Sequence, residues 1–310
     1  MPFDSQRLHE SPTGAKLNLY MKRAKGAPRG VIQINHGLAE HAARYARFAD
    51  FMAARGFHTY AHDHRGHGYT KAPDAPQGIF GTPDGGDKVI ADIASIHELI
   101  RKEQPWLPVI IFGHSMGGMI TLNYVMRHPE GLRGAAIWNA SFSAGLLGRV
   151  AQAVLAYERF RLGSDVPSRI LPRLTCQAWA KKIPNHRTGF DWLSRDPVEV
   201  DKYVADPLCG WDASVSLWQD LFGFVFHGAD DANFASVPKD LPFNIVGGEK
   251  DPATDGGKAI TDLAGRMERQ GFSNLVSKVY GQTRHESLNE VNRDLVMEEF
   301  AAWAEQVVRK

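Results

Sequence analysis

The sequence predicts an α/β fold: a mostly parallel, doubly wound sheet interrupted by one helical insertion. Three observations carry that reading. Short apolar, β-branched runs alternate with longer segments of helical period along most of the chain. A serine sits between glycines where such a run meets a helix, in "FGHSMGGMI". From about residue 142 to 222 the strand pattern stops, and four of the seven tryptophans fall there (Trp179, Trp192, Trp211 and Trp218).

In chain order, "KLNLYM" alternates in character and predicts an outer strand. "VIQIN" (Val31–Asn35) predicts a buried one. In the helix that follows, Tyr45, Phe48, Ala49 and Met52 recur at helical spacing and Gly56 marks the stop. "FHTYAHD" is the next strand, and Val89, Ile93, Ile96 and Ile100 line one face of a second helix. "VIIFG" leads into the serine, "GGMITLNYVMRH" into a helix ending at Pro129, and "GAAIWN" into another strand. Beyond the insertion, "FNIVGG" and "LVSKVYG" are strands, each followed by helical pattern as far as "AEQVVRK". Such alternation implies right-handed crossovers and helices on both faces of the sheet. The expected division is a core of residues 1–141 and 223–310 with a helical cap at 142–222. The cap would stand over the carboxyl edge of the sheet, where α/β ligand sites form. Within it, Phe142, Leu146, Leu147, Val150, Val154 and Leu155 have the spacing of an apolar helix face.

Composition narrows the function. A formal net charge of +1 gives no field for gathering nucleic acid. The first ten residues lack a basic stretch followed by an apolar core, and no apolar run approaches the roughly 20 residues of a membrane span. Cys176 and Cys209 are the only cysteines, too few for a disulfide framework. The expectation is a cytoplasmic chain. A slight basic lean in the insertion is compatible with peripheral membrane contact through the cap.

A Gly-x-Ser-x-Gly pattern alone is weak evidence, but its context is not. Gly113 and Gly117 remove side chains that would crowd a strained strand-to-helix turn, which exposes the Ser115 hydroxyl at the top of the sheet. A serine hydroxyl needs a positioned base, itself oriented by an acid. "FNIVGGEKDP" supplies Asp251 on the loop after one late strand, with Glu249 and Asp255 as alternatives for the acid. Among thirteen histidines, His285 alone lies on a loop after the final predicted strand. An oxyanion needs backbone N–H groups. Met116, directly after the serine, supplies one, and Leu38 in "HGLAEH" the other, with Gly37 allowing close approach. A rival metal site would use His62, His64 and His67 of "AHDHRGHGYT". The better expectation there is a glycine-rich turn pinned by Asp63 and Arg65 near the mouth of the site.

With these residues named, the chain resembles the monoacylglycerol lipase and lysophospholipase branch of the α/β-hydrolase superfamily, a serine aminopeptidase S33-like group. "HGLAEHAARY", "DHRGHG", "GHSMGG", "DPLCG", "GGEKDP" and "RHES" carry the resemblance in order along nearly the whole chain outside the insertion. It implies a Ser115–His285–Asp251 triad, an oxyanion hole from Leu38 and Met116, and a cap over an acyl pocket. It also implies a small-molecule ester substrate and no metal or organic cofactor. The family pattern usually has a small residue or glycine in the middle of the HGxxEH loop. Leu38 and Ala39 stand there in this chain, which should leave the donor intact and narrow the pocket. An iminopeptidase-type peptidase, a small-ester carboxylesterase and a non-catalytic binding protein are the competing functions.

Overall fold

The computed structural model describes residues 3–143 and 145–309. Eight strands form one sheet: β1 (Ser5–Glu10), β2 (Lys16–Lys22), β3 (Gly30–Asn35), β4 (Phe57–His62), β5 (Val109–His114), β6 (Leu132–Trp138), β7 (Phe243–Gly248) and β8 (Leu275–Tyr280). Their spatial order is β1-β2-β4-β3-β5-β6-β7-β8. β2 runs antiparallel to β1 and β4, and every other pairing is parallel. The expected strand "KLNLYM" therefore lies one position in from the edge, because β1 adds outside it. β1 has no buried face, so its sequence carries no apolar alternation that could announce it.

The helices are α1 (Ala46–Ala54), α2 (Gly85–Glu103), α3 (Met116–Arg127), α4 (Leu146–Leu162), α5 (Leu171–Leu174), α6 (Cys176–Lys181), α7 (Pro197–Ala205), α8 (Val215–Ala229), α9 (Lys258–Arg269) and α10 (Arg293–Arg309). Two cores sandwich the sheet. Phe48 and Met52 of α1 pack with Phe300 and Trp303 of α10 on one face. Val89 of α2, Ile120 of α3, Leu217 of α8 and Leu263 of α9 pack on the other. β5 feeds both, with Phe112 in the first core and Ile111 in the second, so all six of its residues are buried. A central parallel strand covered on both faces must read as a continuous apolar run, as "VIIF" does.

Among the described residues no strand occurs between β6 and β7, and α4 to α8 lie in that stretch. α8 crosses residue 222 and packs against α2 and α3. Along α4, Leu155 is buried and Val154 half-buried, whereas Val150 faces solvent. The side chains of Leu146 and Leu147 lie outside the described residues. No helix among the described residues is long and apolar enough to cross a membrane.

Candidate active site

The elbow is built by backbone packing. A Cβ on Gly113 would lie 2.1 Å from the Gly117 carbonyl oxygen, and one on Gly117 would lie 2.1 Å from the Asn35 carbonyl oxygen. The end of β5, the first turn of α3 and the end of β3 are thus in direct backbone contact, and only glycines fit. Between them Ser115 adopts φ 55° and ψ −119°, a conformation that costs a non-glycine residue on the order of 1–3 kcal/mol. Its N–H donates to the Trp138 carbonyl at 2.8 Å, which fixes the turn to β6.

Three side chains, separated widely in the chain, meet at this rim. Ser115 Oγ lies 2.8 Å from His285 Nε2, and His285 Nδ1 lies 2.9 Å from Asp251 Oδ2. Asp251 is fully buried. Burial alone would raise its carboxyl. The charge of His285, together with hydrogen bonds from His285, Asn139 and the Ala253 N–H, outweighs that and holds it below the usual carboxylate range. The alternative acids do not reach His285: Glu249 is exposed and accepts from Gln282 N–H at 3.0 Å, and Asp255 is exposed in a left-handed turn.

Sequence reasoning missed Asn139. It sits at the end of the "GAAIWN" strand with φ 51°, donates through Nδ2 to Asp251 Oδ2 at 3.0 Å, and accepts from Ser287 Oγ at 3.1 Å. The available signal was an amide side chain ending the strand that precedes the insertion. His285 is held from outside the core as well. Its N–H donates to the Trp192 carbonyl at 3.3 Å, and Glu286 N–H donates to that of Leu193 at 2.7 Å. The Trp192 ring lies 4.9 Å from the imidazole, centroid to centroid. On the core side, His114 Nε2 bonds the His285 carbonyl at 3.0 Å.

Gly37, Leu38 and Met116 line one cavity together with Ser115 and His285. A Cβ on Gly37 would fall 3.4 Å from that of Ser115 and 2.8 Å from Glu40 Oε1. The loop is pinned by Glu40, another residue the sequence did not single out. Its Oε1 accepts from Gly37 N–H at 2.6 Å and from Tyr45 Oη at 2.9 Å. Glu40 also pairs with Arg44, whose guanidinium makes a bidentate pair with Glu286 at 2.7 Å. Burial opposes ionisation of Glu40, but Arg44 and His114 hold its carboxyl well below the ordinary range.

The cavity has a volume of about 340 Å³ and is lined mainly by apolar side chains, among them Met119, Leu221 and the four tryptophans of the 142–222 stretch. The histidine-rich turn lies against its wall: His67 packs on Trp211 at 4.7 Å between ring centroids. Arg65 is fully buried and donates to Asp92 and to the Phe80 carbonyl, while Asp63 accepts from Ala42 and Tyr69 N–H. Burial holds these imidazoles neutral, with His62 and His67 lowered to about 3. Their rings meet edge to face, and they do not gather three ligating atoms around a common point.

Comparison with known proteins places this geometry in a family. The chain is 29% identical to monoacylglycerol lipase of Mycolicibacterium smegmatis, an alignment covering 89% of this chain and 88% of the relative. It is 26% identical to human monoglyceride lipase, covering 86% and 82% respectively. Among solved structures, a thermostable carboxyl esterase from Bacillus coagulans in complex with glycerol superposes with a TM-score of 0.88 at 23% identity, covering 98% of each chain. A soluble variant of Saccharomyces cerevisiae monoglyceride lipase does so with a TM-score of 0.76 at 20% identity, covering 98% and 95%. These last two likenesses establish the α/β-hydrolase fold. Residues 26–292 match the family model described as serine aminopeptidase, S33, and the chain belongs to that family of α/β-hydrolases.

Proposed function

We propose that the protein is a serine carboxylesterase that cleaves acyl esters, monoacylglycerols or lysophospholipids foremost, through a Ser115–His285–Asp251 triad. The observation that carries this reading is the 2.8 Å contact between Ser115 Oγ and His285 Nε2 at the floor of an apolar cavity of about 340 Å³. Similarity to the mycobacterial and human lipases supports the acylglycerol side of it.

In this reading His285 takes the Ser115 proton as Oγ attacks the ester carbonyl, and Asp251 holds the imidazole tautomer and stabilises the imidazolium. The oxyanion rests on the Leu38 and Met116 N–H groups, each donor contributing about 3–4 kcal/mol to the transition state. His285 then protonates the leaving alcohol, and water repeats the sequence on the acyl-enzyme. Residues 142–222 act as the cap, whose tryptophans line the acyl slot. Peripheral membrane contact belongs to the same proposal. Phe160 is 88% exposed on α4, with Val150 and Tyr157 also outward and Arg149, Arg159 and Arg161 beside them.

The test is Ser115→Ala, which should abolish ester turnover and stoichiometric labelling by a fluorophosphonate. Retained labelling at another residue would overturn the assignment. A panel of p-nitrophenyl esters from acetyl to palmitoyl, run beside monoacylglycerol and lysophosphatidylcholine, ranks the substrates. Activity confined to acetyl esters removes the lipase reading, and hydrolysis of a prolyl anilide replaces it with a peptidase.

A further inference from the structure

We propose that His41, Asp206 and Cys209 form a binding site for a thiophilic divalent cation, zinc by preference, which ties the end of the insertion to the loop carrying Leu38. One ligand atom from each residue lies within 4.8 Å of the other two, the one group of this kind among the described residues. His41 Nε2 is already 2.8 Å from Asp206 Oδ2. In a tetrahedral zinc site, bonds of about 2.0–2.3 Å set the ligating atoms roughly 3.3–3.7 Å apart. Side-chain rotations of about an ångström therefore seat an ion, with water in the fourth position.

The chemistry of the donors selects the metal. One nitrogen, one oxygen and one sulfur suit zinc, whereas magnesium and calcium require oxygen ligands throughout. The surroundings are prepared for it. His41 is only 7% exposed, and its Nε2 already faces the Asp206 carboxylate from that buried position. Asp206 Oδ1 accepts from Leu208 N–H at 2.9 Å, which orients the carboxylate and leaves Oδ2 for the ion. Cys209 is a free thiol. Burial, with Glu40, Asp206 and Glu286 opposing the pull of Arg44, keeps that thiol protonated, so an ion that binds must displace its proton. On binding, the zinc–sulfur bond replaces the S–H bond and that proton leaves to solvent. The imidazole coordinates through Nε2 and carries its one proton on Nδ1.

The position gives the site a consequence. Tyr203 Oη and Gly210 N–H both donate to the Ala39 carbonyl at 2.9 Å, so the 203–210 segment already straps the loop that holds Leu38. Ala39, Tyr203 and Gly210 line the cavity. Bound zinc adds a third tie between the same two segments, stiffens the mouth and slows turnover. That last effect rests on the proposed esterase reading; the binding does not.

The experiment titrates tag-free, reduced protein with Co²⁺ and displaces it with Zn²⁺. One equivalent should give a thiolate-to-cobalt charge-transfer band that persists in Cys176→Ser and is lost in Cys209→Ser. His41→Gln should weaken binding at least ~10-fold. No band in the wild type, or a band that survives Cys209→Ser or disappears with Cys176→Ser, overturns the site. Should Cys209→Ser not fold, alkylation of the wild type decides: zinc must protect Cys209 and leave the rate at Cys176 unchanged, and equal rates at Cys209 with and without zinc refute the proposal. Turnover of p-nitrophenyl acetate should fall along the same saturation curve as the band. Constant turnover at saturation overturns the tie to the mouth.

Discussion

Replacing Asp251 with asparagine tests the proposed relay at its most constrained point. The carboxylate is an acceptor on every side: Oδ1 takes the Ala253 N–H at 2.9 Å, and Oδ2 takes both His285 Nδ1 at 2.9 Å and Asn139 Nδ2 at 3.0 Å. An amide of the same shape must turn its NH₂ toward one of these donors. With its oxygen facing His285, the NH₂ meets the Ala253 N–H, a backbone donor that cannot rotate away. A buried donor left without an acceptor costs about 1–3 kcal/mol. With the NH₂ facing His285, the clash is with Asn139, whose own amide can flip. Ser287 Oγ, now donating to Asn139 Oδ1, can rotate to accept instead. The second orientation relieves every clash and is therefore the one adopted.

That orientation has a chemical consequence. An NH₂ donating to His285 Nδ1 forces the proton onto Nε2, where the imidazole can no longer accept from Ser115. Tautomer reversal of this kind lowers turnover by about 10⁴-fold, or roughly 5 kcal/mol. The assay is kcat/KM on a p-nitrophenyl ester, with the fluorophosphonate labelling rate measured in parallel and ¹⁵N shifts of the His285 ring reporting the tautomer. A loss below about 100-fold, with the proton still on Nδ1, would show that the amide keeps its oxygen toward His285. The donor count above would then be wrong.

Four further perturbations follow from the same structure. Gly117→Ala should cost about 3 kcal/mol, lowering Tm by ~5 °C, because its Cβ lands 2.1 Å from the Asn35 carbonyl oxygen. Gly223→Ala, with open space on the exposed side of α8, should instead gain about 0.5–1 kcal/mol in the same melt. Arg44→Met strands the buried carboxylates of Glu40 and Glu286 and should cost about 3–5 kcal/mol in urea unfolding; a loss under 1 kcal/mol would deny the network its role. Burial, aided by the nearby charges of Asp87 and Asp84, pushes Asp220 up to about 6, above its unfolded value of 3.8. The cost of its charge is thus absent below the lower value and fully present above the upper. Asp220→Asn should therefore stabilise by about 1–3 kcal/mol near pH 8 and by almost nothing near pH 4, and a gain that is the same at both would contradict the shift.

The sheet was legible wherever burial imposes a pattern. β3, β5 and β7 are buried along their whole length, and their sequences are apolar or small apart from Gln33 and Asn35 in β3, His114 in β5 and Asn244 in β7. β1 was not legible, since it is an almost wholly exposed edge strand held by backbone pairing, to which side chains contribute little. Ser115, Asp251 and His285, which the structure brings within hydrogen-bond reach of one another, each follow a strand recognisable in the sequence. Asn139 and Arg44 could not be read there, for the partners that give them a place at the site are far away in the chain: Asn139 meets Asp251 and Ser287, and Arg44 meets Glu286. No local pattern encodes a contact across more than a hundred residues. Val150 shows the converse error, an apolar residue at the right spacing on a helix face that turns outward.

The long-range contacts also explain why the insertion and the reacting groups form one mechanical unit. His285 is gripped by the Trp192 carbonyl from the insertion and by His114 from the elbow. The Leu38 loop is gripped by Tyr203 and Gly210 from the insertion and by Glu40 from within. Arg44 joins the two grips, pairing with Glu40 on one side and Glu286 on the other. Displacing residues 192–210 would release the His285 loop and the Leu38 loop together, because both lose a backbone acceptor or donor in the same movement. A cap that opens while catalysis survives must therefore hinge within α4 to α6, outside that segment. In the proposed reading, a change of acyl preference can accumulate in the walls formed by Met119 of α3, Trp179 of α6 and Trp218 of α8, all outside residues 192–210, without touching the hydrogen bonds that align Ser115 with His285.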